Sequence, residues 1–255
     1  MYTAADVGLA KVDALRARAL SINPAIDAIA LRSDITGLGE ERLTELVQDH
    51  DVVVSATDDM MAQELLNAFA WHAGTPAIFP AIYRGARAGE VVMSVPREGG
   101  VCWRCAVLGS IAHTDGERPH DYGTGRLVAA TALGADVWTV SAAAAKLALA
   151  LLHVTARGDG PLATFIGRPL AWGSTLLQFA TSPAWAPFDS FFGGVPGQWA
   201  YQSVWMTPTG DKACPVCGSE PTQPRISRVL RADDRLRLLR LIDATREASE
   251  QPAAT

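Results

Sequence analysis

No cysteine occurs outside two Cys-x-x-Cys pairs, Cys102-Trp-Arg-Cys105 and Cys214-Pro-Val-Cys217, so once those pairs are committed no thiol is left to act as a nucleophile. There is no G-x-G-x-x-G either. One approach to it, Gly123-x-Gly125-x-x-Val128, fails at its last position, and an NAD(P)-dependent dehydrogenase is argued against for want of the full motif. Positive charge is not in excess: 22 Lys and Arg stand against 27 Asp and Glu, a net charge of −5, which argues against a globally basic nucleic-acid binder. The most apolar stretch, Leu127 to Val154, is broken by Asp136 and Lys146 where a membrane span needs about 20 apolar residues, so a buried helix and no membrane partner are expected. Met1 to Asp6 shows neither a basic n-region nor an apolar h-region, so the expected location is cytoplasmic, where thiols stay reduced.

What is present is a chain of 255 residues with 49% hydrophobic content, enough to build the core of one large or two small domains. The cysteines are its most informative feature. A thiolate pair two residues apart on a tight turn bites one Zn²⁺, and two such turns complete a four-sulfur shell. Between Cys105 and Cys214 lie 108 residues, far beyond a zinc-ribbon spacing, so the expected metal staples distant parts of one domain. Two disulfides, a redox pair or inert thiols are the competing readings.

Hydrophobic periodicity orders the rest. Val12, Leu15, Ala19 and Ile22 recur at helical spacing from Lys11 until Asn23-Pro24 ends the run. Ile26-Asp-Ala-Ile-Ala-Leu31 alternates and predicts a strand, and Glu40 to Asp49 a helix. Asp51-Val-Val-Val-Ser-Ala-Thr57 reads as a strand that runs through Asp58-Asp59 into a helix from Met60 to Ala73, a βα unit. Pro76 to Tyr83 and Glu90 to Val95 predict further strands, making the fold class α/β. Arg126 to His153 predicts one or two Ala-rich helices. Thr164 to Pro208 predicts strands joined by long loops, with Trp172, Trp185, Trp199 and Trp205 beside Phe188, Phe191 and Phe192 as core or partner-binding aromatics. From Arg225 to Glu247, Arg residues surround Leu236, Leu239 and Ile242, the pattern of an amphipathic basic helix. Taken alone, Lys11 reads as a solvated helix lysine and Asp58 as a helix N-cap.

Gly8-x-x-Lys11, Ile22-Asn23-Pro24, Asp51-Val-Val-Val-Ser-Ala-Thr-Asp58-Asp59, Leu66-Asn67, Ala81-Ile-Tyr-Arg84 and the two cysteine pairs occur in an order that resembles the ThiF/MoeB/ubiquitin-activating (E1-like) adenylyltransferase superfamily. The resemblance is good over residues 6 to 110 and loose over 125 to 218. It implies a partial adenylyltransferase domain at 1–218 with a Rossmann-like sheet, and leaves 219–255 as a tail. It further implies Mg-ATP as cosubstrate, the C-terminal carboxylate of a small ubiquitin-like or sulfur-carrier protein as target, and a homo- or hetero-oligomer. On it, Lys11 reaches ATP phosphates, Asp58 lies near Mg²⁺ and the α-phosphate, and Cys102, Cys105, Cys214 and Cys217 hold structural Zn²⁺.

Departures accompany these matches. The family's Gly-rich phosphate loop, the acidic residue for the ribose and an Asn/Arg segment should precede the lysine, yet Lys11 stands ten residues from Met1. On the resemblance the sheet therefore lacks its first strands, and the family arginine after the acidic turn is replaced by Gln63. The expectation is a truncated adenylyltransferase, or a catalytically inactive, zinc-stabilised binding subunit that completes or regulates a partner.

Overall fold

Two nearly continuous apolar runs flank the turn at Arg84-Gly85-Ala86, and because successive side chains of a strand point to opposite faces, each run can bury both faces at the centre of a sheet. The structure, a computed structural model, describes residues 2–97, 99–111, 132–158 and 160–218, without the side chains of residues 84, 108–111 and 157. It divides into two units, Met1–Leu43 and Thr44–Thr255.

The first unit holds α1 (Lys11–Ile22), and α2 (Glu40–Gln48) begins in it. Polar ties organise the unit: Arg16 Nε donates to the Ala28 carbonyl at 2.7 Å, and Arg32 pairs with Asp13. Residues 26–31, expected to be a strand, are not one. Ile26 lies in a bend, no residue of the stretch finds a ladder partner among the described residues, and Ile29 is 86% exposed. Alternation describes a chain that can lie flat against a neighbour; without the neighbour its backbone groups have no ladder to join.

The second unit is a five-stranded mixed sheet with helices on both faces. Its strands are β1 (Val53–Val54), β2 (Ala77–Ile82), β3 (Ala88–Ser94), β4 (Leu176–Ala180) and β5 (Gln202–Met206), in that spatial order. β1 runs parallel to β2, whereas β2–β3, β3–β4 and β4–β5 are antiparallel, so only the first pair has the parallel pairing of a Rossmann-like sheet. β1 is shorter than the expected 51–57 run. It is tied to β2 by Val53 N–H on the Pro76 carbonyl (3.0 Å) and Ser55 N–H on that of Ile78 (2.9 Å).

Ile78, Val91, Met93 and Leu177 point to one face, where they pack with α5 (Gly134–Arg157) and α6 (Pro161–Trp172). Phe79, Val92 and Leu176 point to the other, against α3 (Met60–Ala73) and α4 (Trp103–Ile111), with Trp103 stacked 5.4 Å from Phe79. Gly89 permits the close crossing of α5: a Cβ there would lie 2.8 Å from both the Ala81 carbonyl and Val140. The segment from Thr164 therefore opens as helix α6, not as strands and loops, because its apolar positions Ile166 and Leu170 recur at helical spacing onto the sheet. Further on, α7 (Phe188–Phe192) buries Phe188 and Phe192, while Trp185 stacks on Phe191 with ring centres 5.5 Å apart. Trp172 and Trp199 are exposed. The start of the Ala-rich stretch at 126–131 and the basic tail at 225–247 lie outside the described residues.

The core predicts its own cost of disruption. Leu147 on α5 is fully buried against the sheet, so Leu147→Ala removes its contacts and leaves a cavity. The expected loss is about 3 kcal/mol of unfolding free energy, read as a lowered urea midpoint; an unchanged midpoint contradicts this packing.

Candidate metal centre and acidic turn

Cys102 ends the loop after β3 and its carbonyl receives the Ala106 N–H at 3.0 Å, so α4 starts directly on the first cysteine turn. That start is fastened from α3, where the fully buried Asn67 accepts the Trp103 N–H on Oδ1 at 3.0 Å, satisfying a donor that the helix leaves open. The second turn follows β5. Its backbone closes with Cys214 N–H on the Asp211 carbonyl (3.0 Å) and Gly218 N–H on that of Cys214 (2.9 Å). Glycine is required at 218, because a Cβ would lie 2.4 Å from the Cys214 carbonyl oxygen.

The turns meet. All four sulfurs lie within 4.8 Å of one another, with Cys102 to Cys214 at 3.8 Å and Cys105 to Cys217 at 3.6 Å. A disulfide would need about 2.05 Å, so these are free thiols. A sulfur tetrahedron with zinc–sulfur bonds of about 2.3 Å has edges of about 3.8 Å, and the observed spacing fits it. The Asp211 N–H points at Cys105 Sγ at 3.5 Å, the kind of donor that supports a ligating thiolate.

Electrostatics within the group are divided. Hydrogen bonding from Cys102 brings the Cys217 thiol down to about 5, against the opposition of burial. The same contact with Cys217, then burial, pushes Cys102 far up, and burial with the neighbouring sulfurs pushes Cys105 up to about 12. Ionisation is thus costly for Cys102 and Cys105 in this crowd of sulfurs, a cost that a shared divalent cation would offset. The four cysteines can hold a metal, and their donor set is that of zinc.

A second constellation sits where β1 runs into α3. Asp59, not Asp58, caps the helix: its Oδ1 accepts the Ala62 N–H at 2.9 Å. Thr57 Oγ1 accepts the Asp59 N–H at 3.1 Å, and the buried Gln63 donates Nε2 to the Thr57 carbonyl at 2.6 Å. Three side chains therefore hold the turn's shape. Asp58 is left exposed, with no hydrogen bond or ion pair to any described residue. Such a carboxylate, at the carboxyl end of a parallel strand and the amino end of a helix, can offer hard oxygen to a magnesium ion.

Lys11 is the exposed first residue of α1 in the other unit. The structure brings together the four sequence-predicted cysteines. Gln63 and Asn67 matter as clasps of the acidic turn and of α4, roles the sequence does not announce. Buried amides at helical positions on α3 were the available signal, since such groups need partners.

The ThiF family model matches residues 1–179. The chain is 27% identical over 227 residues to a sulfur carrier protein adenylyltransferase of Thermus thermophilus, covering 88% of this chain and 68% of that protein. It is 30% identical over 105 residues to a molybdopterin-synthase adenylyltransferase of Salmonella typhimurium, covering 41% of this chain and 40% of that one. In fold it is similar to a crystal structure of Escherichia coli MccB with ATP, at a TM-score of 0.50 and 17% identity, over 85% of this chain and 53% of that one. The chain thus spans from two fifths to about two thirds of the length of these proteins. With the ordered motifs, the mixed sheet and the family match agreeing over most of its length, the chain belongs to the ThiF family.

Proposed function

We propose that this chain is an ATP-dependent adenylyltransferase of the E1-like type, acting on the C-terminal carboxylate of a small ubiquitin-like or sulfur-carrier protein. The observation that carries the reading is the acidic turn, in which Asp59, Thr57 and Gln63 do the structural work and Asp58 is spared. Its presence in a ThiF-family chain with adenylyltransferase relatives supports that chemistry over other uses of an exposed aspartate.

When bound, Mg-ATP supplies the adenylyl group that activates a carboxylate. Asp58 would hold the magnesium through its carboxylate, and Lys11 would offset phosphate charge. The clasped turn limits where Asp58 can reach, so the entropy of ordering it is met in advance. Zn²⁺ is the proposed metal of the cysteine cluster. A closed four-sulfur shell leaves no position for water or substrate, so its role is structural. With all four thiols so used, this chain has none to accept the carboxylate as a thioester. The reading assigns the protein to the reducing cytoplasm.

Calorimetric titration of the full chain with Mg-ATP is expected to show saturable binding, weakened at least about tenfold by Asp58→Ala, a loss of at least about 1.4 kcal/mol. Asp58→Ala should leave the urea midpoint unchanged, whereas Asp59→Ala, which loses the cap, should cost about 1 kcal/mol of stability. A folded chain that does not bind, or an Asp58→Ala variant that binds as well as the original, removes the catalytic reading. It would favour instead the zinc-stabilised binding subunit that completes or regulates a partner. For the metal, Cys214→Ser is expected to abolish bound zinc, measured by atomic emission, and to lower the melting temperature; zinc content equal to that of the original chain contradicts the assignment.

A further inference from the structure

Cys102, Cys105 and Cys214 are buried, packed with Trp71, Val101 and Val216, whereas Cys217 is only partly buried. Pro215 close beside it and Asp211, Lys212 and Ala213 ahead of it are exposed, so a small solute that reaches the cluster meets the Cys217 sulfur first. Access singles out one thiol. Contact then supplies it with a partner, because Cys105 Sγ lies 3.6 Å away on the other turn. The remaining two, Cys102 and Cys214, touch at 3.8 Å, also from turn to turn. The four sulfurs thus fall into two pairs that share no atom, and both pairs cross between the turns.

We propose that Cys217 is a site of oxidation by hydroperoxides, with Cys105 as its resolving thiol, and that full oxidation joins the turns through the disulfides Cys105–Cys217 and Cys102–Cys214. In the first step, written for hydrogen peroxide, the Cys217 sulfur attacks one oxygen and the O–O bond breaks. The sulfur keeps that oxygen as a sulfenic acid, and the other leaves as water with the thiol proton. In the second step the Cys105 sulfur attacks the sulfenic sulfur, the hydroxyl leaves as water with the Cys105 proton, and the S–S bond closes at about 2.05 Å. Each pair of thiols thereby gives two electrons to one peroxide. A sulfur held in a disulfide is no longer a thiolate ligand, so a divalent cation loses half its shell and departs. Cys102 and Cys214 then close in the same way with a second peroxide.

The pairing decides the consequence. Crossed disulfides keep α4 fastened to the segment after β5 with no metal present, whereas a disulfide within each Cys-x-x-Cys would cut that tie. Oxidation of this chain therefore exchanges a metal closure for a covalent one, and the oxidised protein keeps its fold. Neither Asp58 nor Lys11 takes part.

Hydrogen peroxide titration of the purified full chain, with peptide mapping under non-reducing conditions, tests this. Trypsin cuts between Arg104 and Cys105, while Cys214 and Cys217 stay on one peptide, so crossed disulfides hold three peptides together and fragmentation between Cys214 and Cys217 assigns each bond. Loss of all four free thiols is expected, with both crossed bonds formed, zinc released to a chromogenic chelator, a cooperative melt retained and dithiothreitol restoring the thiols. Early in the reaction dimedone should label Cys217 first, and Cys105→Ser, which removes the resolving thiol, should increase that adduct. A disulfide within either Cys-x-x-Cys, first labelling at another cysteine, thiols that survive excess peroxide, or an oxidised chain that has lost its cooperative melt would each overturn the proposal.

Discussion

Four sulfurs within 4.8 Å of one another decide how the second half of this chain is closed. A metal held by them would join the start of α4 to the segment after β5 across 108 residues, a closure whose entropy would amount to about 4–5 kcal/mol for a loop of that length. What they fasten is not peripheral. Trp103, next to Cys102, stacks on Phe79 in the middle of the sheet, and Met206, at the end of β5, packs in the same apolar cluster. Without the cysteine closure, α4 would rest on its apolar contacts, on the hydrogen bond from Trp103 N–H to Asn67 and on the ion pair of Arg104 with Glu64 at 2.7 Å. The elements of the sheet's α3/α4 face thus converge on four cysteines that a bound divalent cation would hold together.

The cysteine pairs, the βα unit at 51–73 and the central strands β2 and β3 were legible in the sequence because each is encoded locally. A Cys-x-x-Cys turn needs no distant information to be recognised, and a strand buried on both faces is apolar throughout. Failures fell where the answer lay elsewhere in the chain. Ile26 to Leu31 alternates as a strand does, but strand status belongs to a pair, and the described residues contain no partner for it. The antiparallel direction of β3, β4 and β5 is likewise a property of connections, not of composition.

Which of two adjacent aspartates caps a helix was also beyond pattern. Asp58 and Asp59 are the same residue type one position apart, and only the backbone conformation at Asp59 (φ −81°, ψ 112°) selects it as the cap. That selection matters for function. A carboxylate engaged by helix N–H groups is occupied, whereas its neighbour keeps its lone pairs for a ligand. Gln63 makes the same point from the other side: its amide is used to pin the Thr57 carbonyl. The turn is accordingly more a braced platform for one carboxylate than a cationic cradle, and the chemistry proposed for it rests on Asp58.

Zinc K-edge X-ray absorption on the purified full chain tests the central claim most directly, because it reads the metal, the ligand type and the distance together. The account predicts one shell of four sulfur atoms at about 2.3 Å. A shell containing nitrogen or oxygen, or a protein that folds with its four thiols and binds no zinc, would contradict it.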